Sequence, residues 1–500
     1  MVELLLGIDI GTAGSKGLLV SPDGKIVARS ERGHELSLPR PGWAEHDPET
    51  IWWADTLAIS HELAAAAQTL GHIVGVCISG IGPCLLPADA DGRPLRMAIM
   101  YGIDTRADWE IEDLTQRYGR DAILQRCGSA LSSQAVGPKM LWLQRNEPEV
   151  WARTRRFFMA SSFVIYRLTG AYVLDHHSAS QCDPMYDLAT ETWAADWAAE
   201  IAPGVELPAL HWAADVVGRV TTDAATATGI PAGTPVMAGT IDAWAESLSV
   251  GVQAPGDTML MYGTTMFIID VVDVLRPHRS MWGTTGLLPG SRCLAAGMAT
   301  SGALTGWLRT LAGGPPFEEL LAEAAAIPAG SHGLVALPYF AGERTPLYDP
   351  RARGLILGLT LRHGRAHLYR ALLESIGYGV RHILETLEAA GGASRRLIAV
   401  GGGTKGGLWA QIVSDVTGQP QEIPAEMIGA CYGDALLAAQ GVGLVPAGTI
   451  WARVASVVQP SESTRALYEE LYSIYRSLYP ATKEQAHALA RIQSDSTAAD

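Results

Sequence analysis

One pattern occurs twice in this chain and governs what it can fold into. Leu4-Leu5-Leu6-Gly7-Ile8-Asp9-Ile10-Gly11-Thr12-Ala13-Gly14-Ser15-Lys16-Gly17-Leu18-Leu19-Val20 is an apolar run, a turn rich in Gly and Ser/Thr, and a second apolar run. Such a pattern predicts a β-hairpin, and Ser21-Pro22-Asp23-Gly24 turns the chain again towards Lys25-Ile26-Val27-Ala28, extending it to a meander. The same shape returns between Gly256 and Asp270, where an apolar strand enters Gly263-Thr264-Thr265 and leaves as another apolar strand. Identity between the copies is confined to the Gly-Thr step, yet each copy opens a long α/β segment. The repeat predicts two halves facing each other across a cleft, each offering a hairpin turn to a shared phosphate chain. The boundary falls between Leu248 and Asp257.

The chemistry of the first hairpin follows from its residue types. A strand ending in Asp9 sets a carboxylate at the sheet edge, and the glycines after it let backbone N–H groups approach an anion closely. Asp9 is a candidate for holding hydrated Mg²⁺, with Gly11, Thr12 and Lys16 addressed to phosphate oxygens. An ordinary hairpin with a turn Asp and a solvated lysine is the alternative this stretch leaves open.

Composition narrows the partners. A formal net charge of −15 over 500 residues argues against nucleic acid or an anionic membrane surface, and means that phosphate binding needs local positive charge or a metal ion. The six cysteines contain no C-x-x-C pair and are scattered, as in a reducing cytoplasm. The N-terminal stretch lacks a basic lead-in and carries Glu3 and Asp9, unlike a signal peptide, and no apolar run suits a bilayer. A soluble cytoplasmic α/β protein is the expectation.

Further along, Asp47-Pro48-Glu49 offers an N-cap, a first-turn proline and an acidic first turn for a helix ending at Gly71. Ile73–Gly80 then reads as a buried strand, so the sheet has a parallel part. Asp104 and Arg106 follow an apolar stretch, where a carboxylate and a guanidinium suit a polyhydroxylated substrate; a helix-capping Asp beside a surface Arg is the plainer alternative. His176-His177 has no third ligand at metal spacing and is assigned a loop or supporting role. Pro235–Ala238 reads as a strand and Asp242 as the start of a helix, a position for a reacting carboxylate or for an N-cap. Arg396–Val400, the loop Gly401-Gly402-Gly403-Thr404-Lys405-Gly406-Gly407 and the helix Leu408–Thr417 make a strand–glycine loop–helix unit that admits a nucleotide to the backbone. A further helix spans Gly429–Ala439, and the polar tail after Ile492 is expected to fray. No G-x-x-x-x-G-K-[ST] occurs, which excludes a Walker-type loop.

Together these stretches resemble the FGGY family of carbohydrate kinases, in the sugar-kinase, heat-shock-chaperone and actin superfamily. The most specific match is Gly354-Leu355-Ile356-Leu357-Gly358-Leu359 followed, after seven residues, by His367-Leu368-Tyr369-Arg370-Ala371-Leu372-Leu373-Glu374, which follows the family's C-terminal signature. Around Gly137–Asn146 the N-terminal signature is approximate, with Lys139 and Trp142-Leu143 kept. Within the family, the xylulokinases are most similar, through Pro41-Gly42-Trp43-Ala44-Glu45, Asp47-Pro48-Glu49, Trp52-Trp53, Pro338–Pro346 and Asp349-Pro350. Where xylulokinases carry a Met-His pair that touches the sugar, this chain has Gly82-Pro83 after Ile81.

The resemblance implies an α/β fold of two actin-like (ribonuclease H-like) domains with a catalytic cleft between them. It divides the chain into residues 1–250 with the sugar site, 251–460 with the nucleotide site, and 461–500 as a C-terminal helix and tail. It implies ATP and Mg²⁺ as cofactors, a small sugar as substrate and a possible homodimer. It makes Asp9 the metal-organising carboxylate and Asp242 the catalytic base, which also belongs to the metal and sugar sites. Gly11 and Thr12 fall in the first phosphate loop and Gly263, Thr264 and Thr265 in the second, while Lys16 is a phosphate candidate by its place in the hairpin alone. Gly302, Gly306, Gly402, Gly403 and Gly406 fall at the nucleotide, and Ile81, Gly82, Asp104 and Arg106 face the sugar. The reaction implied is phosphorylation of D-xylulose at a primary hydroxyl. A kinase for ribulose, fuculose, glycerol or a tetrose, or an actin- or chaperone-like ATP-driven binding protein, are the other readings of the same fold.

Overall fold

A computed structural model describes residues 2–497. The first apolar runs form β1 (Val2–Ile10), β2 (Gly14–Val20) and β3 (Ile26–Gly33), an antiparallel meander. Asp47 caps a wide first turn with its carboxylate, accepting from the N–H groups of Glu49 and Thr50, and α1 (Ala54–Leu70) continues from it. β4 (Gly71–Gly80) then lies parallel to β1, register Asp9 to Ser79. After α2 (Val136–Asn146), α3 (Ala160–Thr169) and the short α4 (His176–Ser180), strands β5 (Val216–Arg219) and β6 (Pro235–Met237) complete the sheet order β5-β6-β4-β1-β2-β3. A two-residue strand, β7 (Thr240–Ile241), pairs with the end of β4 and delivers the chain into α5 (Asp242–Ser249).

The second half builds a sheet with the same plan. β8 (Asp257–Tyr262) and β9 (Met266–Val272) form the second hairpin, with β10 (Trp282–Thr285) and β11 (Arg292–Met298) extending it. Helices α6 (Gly302–Leu311), α7 (Phe317–Ala325) and α8 (Arg365–Ala389) precede β12 (Arg396–Val400), which lies parallel to β8. α9 (Leu408–Thr417), β13 (Gln421–Pro424), α10 (Ala430–Gly441), β14 (Val454–Val458) and α11 (Arg465–Thr497) follow. The order β10-β11-β9-β8-β12-β13-β14 sets a parallel strand beside the hairpin's first strand, as in the first sheet. α11 runs through the segment expected to fray after Ile492, and residues 498–500 lie outside the described residues.

Among the described residues, three apolar cores hold the molecule. One lies on the α1/α3 side of the first sheet around Leu6, Ile8, Ile59 and Phe163. Another lies under α8 and α11 on the second sheet, around Leu260, Ile376 and Tyr475. The third is continuous between the domains and joins Leu5, Cys77, Met259, Ile398, Cys431 and Ala435. Its centre is α10. The chain leaves β13 of the second sheet, forms α10 against β1, β4 and α5 of the first half, and returns to pair β14 with β13.

Missing side chains make this seating possible. A Cβ on Gly7 would stand 2.0 Å from the Cys431 carbonyl oxygen, and one on Gly433 would stand 1.9 Å from that of Ala245. Asp434 on α10 then reaches β4, where Ser79 Oγ donates to it at 2.6 Å. Gly433→Ala should therefore lower stability by about 1–3 kcal/mol, although alanine is the better helix former. The midpoint of urea unfolding reads this loss, and an unchanged or raised midpoint would refute the close seating.

Candidate active site

The two turns of the repeated hairpins meet different surroundings. In the second, Gly302 N donates to Gly263 O at 3.0 Å, and a Cβ on Gly302 would stand 2.6 Å from that oxygen, so α6 starts directly on the turn. Gly263, Thr264, Gly302, Gly402, Gly403 and Gly406 line one cavity of about 490 Å³, walled by Tyr262, Phe317, Leu321, Tyr369 and Trp409. Glycine backbone on one side and apolar rings on the other suit a flat heterocycle with a phosphate tail. Gly306, one turn further along α6, does not line it.

A second cavity, of about 280 Å³, lies between the domains. Asp9, Ile81, Gly82, Tyr101 and Asp242 line it from the first half, and Thr265, Phe267, Trp282 and Arg344 from the second. Gly82 and Pro83 offer it no side-chain donor. The turn of residues 263–265 thus borders both cavities.

Asp9, Asp242 and Glu246 crowd the inner wall of the smaller cavity. Asp242 is the first residue of α5 and Glu246 lies four residues on, which puts both on one face. They keep some exposure to the cavity but sit deep in the molecule. Burial, with Glu246 as a second cause, pushes the Asp9 carboxyl up to about 7, against the opposing pull of Lys16 and of the Ser79 hydroxyl. Burial, then the Asp9 charge, raises the Asp242 carboxyl well above the usual range, while Ala243 N donates to it at 2.7 Å. Lys16 stands directly across the hairpin from Asp9, exposed, and lines neither cavity. Among the described residues no three His, Cys, Asp or Glu side chains are placed to hold a metal ion directly. The hard carboxylate oxygens of Asp9, Asp242 and Glu246 are instead a donor set suited to a hydrated hard cation.

Gly11 and Thr12 line neither cavity but brace the smaller one. Thr12 Oγ1 is 3.4 Å from the hydroxyl of Tyr101, which does line it. His34 Nε2–H donates to Gly11 O at 3.1 Å and its Nδ1 bonds Asp55 at 2.8 Å. Burial would lower the His34 pKa, but Asp55 and these bonds outweigh it and hold the ring above its ordinary value.

The Asp104/Arg106 pair, expected to face the sugar, does not open onto the smaller cavity. Both side chains are fully buried, and neither lines the cavity. Arg106 forks onto Asp104 at 2.7 Å, reaches Glu45 at 2.8 Å and lies 4.0 Å from the Trp43 ring centre, while Asp104 also accepts from Ala44 N. The polar atoms of the pair are spent on each other, on Ala44 N and on Glu45, and so clamp residues 43–45 to residues 101–106. Breaking it by Arg106→Met should cost about 3–5 kcal/mol by leaving a buried carboxylate uncompensated. Urea unfolding measures that loss, and a raised sugar KM without a stability loss would contradict the clamp.

His177 packs instead of ligating. Its ring stacks on Trp244 at 3.8 Å, Nδ1–H donates to Thr285 O at 3.0 Å, and burial pushes its pKa down to about 3. His176 stacks on Trp212 and bonds the Tyr186 hydroxyl. Because His177 stays neutral when folded but protonates near 6.5 when unfolded, its contribution is present above pH 6.5 and lost as pH falls towards 3. The loss reaches about 2 kcal/mol by pH 5. His177→Phe should flatten the fall in unfolding free energy between pH 8 and pH 5, and an unaltered slope would contradict this.

Several lining residues had no sequence signal. Gln134 and Gln181 line the smaller cavity from stretches without a motif. Lys139, buried in α2, donates from Nζ to Ser133 O at 2.7 Å and steadies the segment carrying Gln134. Glu246 was legible as the residue four beyond Asp242, and Arg344 lies inside the quoted Pro338–Pro346 stretch.

Comparison with known proteins places these features. Residues 4–249 match the model for the N-terminal domain of the FGGY family of carbohydrate kinases, and residues 258–442 match that for its C-terminal domain. The chain is 28% identical over 499 residues to a xylulose kinase of Bacillus subtilis, covering 98% of this chain and 99% of that one. It is 28% identical to a glycerol kinase of Nocardia farcinica over 89% of this chain and 91% of that one. A crystal structure of xylulose kinase from Rhodospirillum rubrum superposes with a TM-score of 0.91 at 33% identity, covering 97% of this chain and all of that one.

Proposed function

This chain belongs to the FGGY family of carbohydrate kinases, ATP-dependent phosphotransferases with an alcohol acceptor, and we propose that its acceptor is D-xylulose, converted to D-xylulose 5-phosphate. The observation that carries the reading is the turn of residues 263–265, which borders both cavities. A nucleotide lying in the larger cavity would present its phosphate end beside Asp242 in the smaller one. The choice of sugar is supported by the whole-length similarity to xylulose kinases.

Phosphoryl transfer asks the protein for position and charge compensation more than for covalent chemistry. Asp242 would accept the proton of the primary hydroxyl as its oxygen attacks the γ-phosphorus. Burial and the neighbouring Asp9 raise its affinity for that proton, as a general base requires. Asp9 and Asp242 would hold a hydrated Mg²⁺, which when bound would offset charge on the β- and γ-phosphate oxygens. Gly263, Thr264 and Thr265 on one side, and Gly11, Thr12 and Lys16 on the other, would flank the phosphates. Gly302, Gly402, Gly403 and Gly406 would admit the nucleoside. Ile81 and Gly82 would shape the floor under the sugar. A cytoplasmic location is part of the reading, supported by six buried, unpaired cysteines. Among the described residues no helix is long and apolar enough to cross a membrane.

A coupled ADP-release assay over free ketoses and polyols tests the acceptor; D-xylulose should be turned over with the highest kcat/KM. Asp242→Asn should lower kcat about 10²–10⁴-fold with ATP binding retained. Unchanged turnover would remove Asp242 from the chemistry.

A further inference from the structure

The smaller cavity has two neighbours. On one side it shares the 263–265 turn with the nucleotide cavity. On the other it shares Gln134, Trp282 and Arg344 with an outer cavity of about 520 Å³. Asp242 borders the smaller cavity but not the outer one, so Arg344 stands at the end leading away from the phosphates.

Arg344 is presented by a fixed backbone. The Glu343 carboxyl accepts from Ala299 N at 2.9 Å and from Arg344 N at 2.7 Å. Thr345 N donates to Gly297 O at 3.1 Å, and its hydroxyl donates to Ser280 O at 2.7 Å. Three of these bonds tie residues 343–345 to the end of β11 and the loop before β10, and the fourth, from Arg344 N, braces the segment internally. Arg344 is half-buried and, among the described residues, its guanidinium makes no hydrogen bond or ion pair. Its charge is felt by the phenols of Tyr101 and Tyr348 and by Glu343. A fork of donors carried on a fixed backbone, which finds no protein acceptor and faces a cavity, is suited to ligand oxygens.

We propose that Arg344 is a specificity-determining residue, which donates to the acceptor oxygens remote from Asp242 and, with Gln134 and Trp282, closes the cavity at the length of a five-carbon sugar. The assignment rests on the carbohydrate-kinase reading above. It gives the second domain a direct hold on the acceptor, where Gly82-Pro83 in the first domain offers no side-chain donor.

The test compares wild type, Arg344→Gln and Arg344→Ala with D-xylulose and D-fructose in the ADP-release assay, with the ADP-induced rise in Tm as a check on folding. Arg344→Gln should raise the D-xylulose KM about 10- to 100-fold, the worth of a charge-assisted hydrogen bond, with kcat and the ATP KM within about threefold. Arg344→Ala, which opens the way to the outer cavity, should also raise the fructose-to-xylulose ratio of kcat/KM by about tenfold. A fall in kcat with the sugar KM unchanged would assign Arg344 to the phosphates and overturn the proposal, as would an unchanged ratio or an unchanged KM. If Arg344→Gln lacks the ADP-induced shift, Arg344→Lys, which keeps charge without the fork, carries the same KM test. A wild type that phosphorylates a polyol and no ketose would refute the proposed substrate alone; the Arg344 comparison then uses that polyol, and an unchanged KM overturns it there too.

Discussion

Helix α10 can rest on β1 only because residue 7 of the strand and residue 433 of the helix carry no side chain. With a carbonyl oxygen about 2 Å from where each Cβ would be, nothing larger than glycine fits without moving backbone. That contact sets the spacing of the domains. It brings Ala430, at the start of α10, to the wall of the smaller cavity, and it lets Asp434 reach Ser79 beside Asp9. The cavity between the domains, the crowding of its carboxylates and the approach of Arg344 from the far side all follow from how closely the helix and strand backbones lie.

The crowding has an energetic meaning. Asp9, Asp242, Glu246 and Asp434 are all driven towards their neutral forms, chiefly by burial. A protein of net charge −15 that gathers further acids in a poorly solvated place holds them at a cost, which positive charge brought by a ligand relieves. The larger cavity is different: glycine backbone and aromatic faces make up most of its wall, and its charged lining residues, Glu318 and Lys405, are of opposite sign. One compartment thus concerns charge and proton affinity, the other surface complementarity, and a three-residue turn separates them.

Much of the fold was legible because its signals are local. The hairpins, the strand–glycine loop–helix unit at 396–417 and the cap at Asp47 are written in apolar runs and turn residues, and the structure has them with little displacement. Asp9 and Asp242 were legible as site candidates for the same reason, since each ends a strand or starts a helix. Asp104 and Arg106 misled because residue type cannot say whether a carboxylate and a guanidinium face a ligand or each other; their fate depended on Trp43 and Glu45, some sixty residues away in sequence. Gln134, Gln181 and Arg344 reach the cavity by long-range packing, which no periodicity encodes. The polar stretch after Ile492 looked like a loose end, but it prolongs a helix whose apolar face is set by residues further back, such as Tyr468 and Tyr475.

The route of α10 also bears on how the chain reaches this state. The first sheet is complete by residue 241, yet the part of its face under α10 has no cover until residues 430–441 have been made. During synthesis the N-terminal lobe must wait, with Leu5 and Cys77 of the shared core still uncovered, while the whole second sheet up to β13 emerges. Neither lobe is a finished folding unit. Two gene fragments cut at the family boundary would leave one lobe with a bare apolar face and the other with an orphan helix, so the two are bound to melt together.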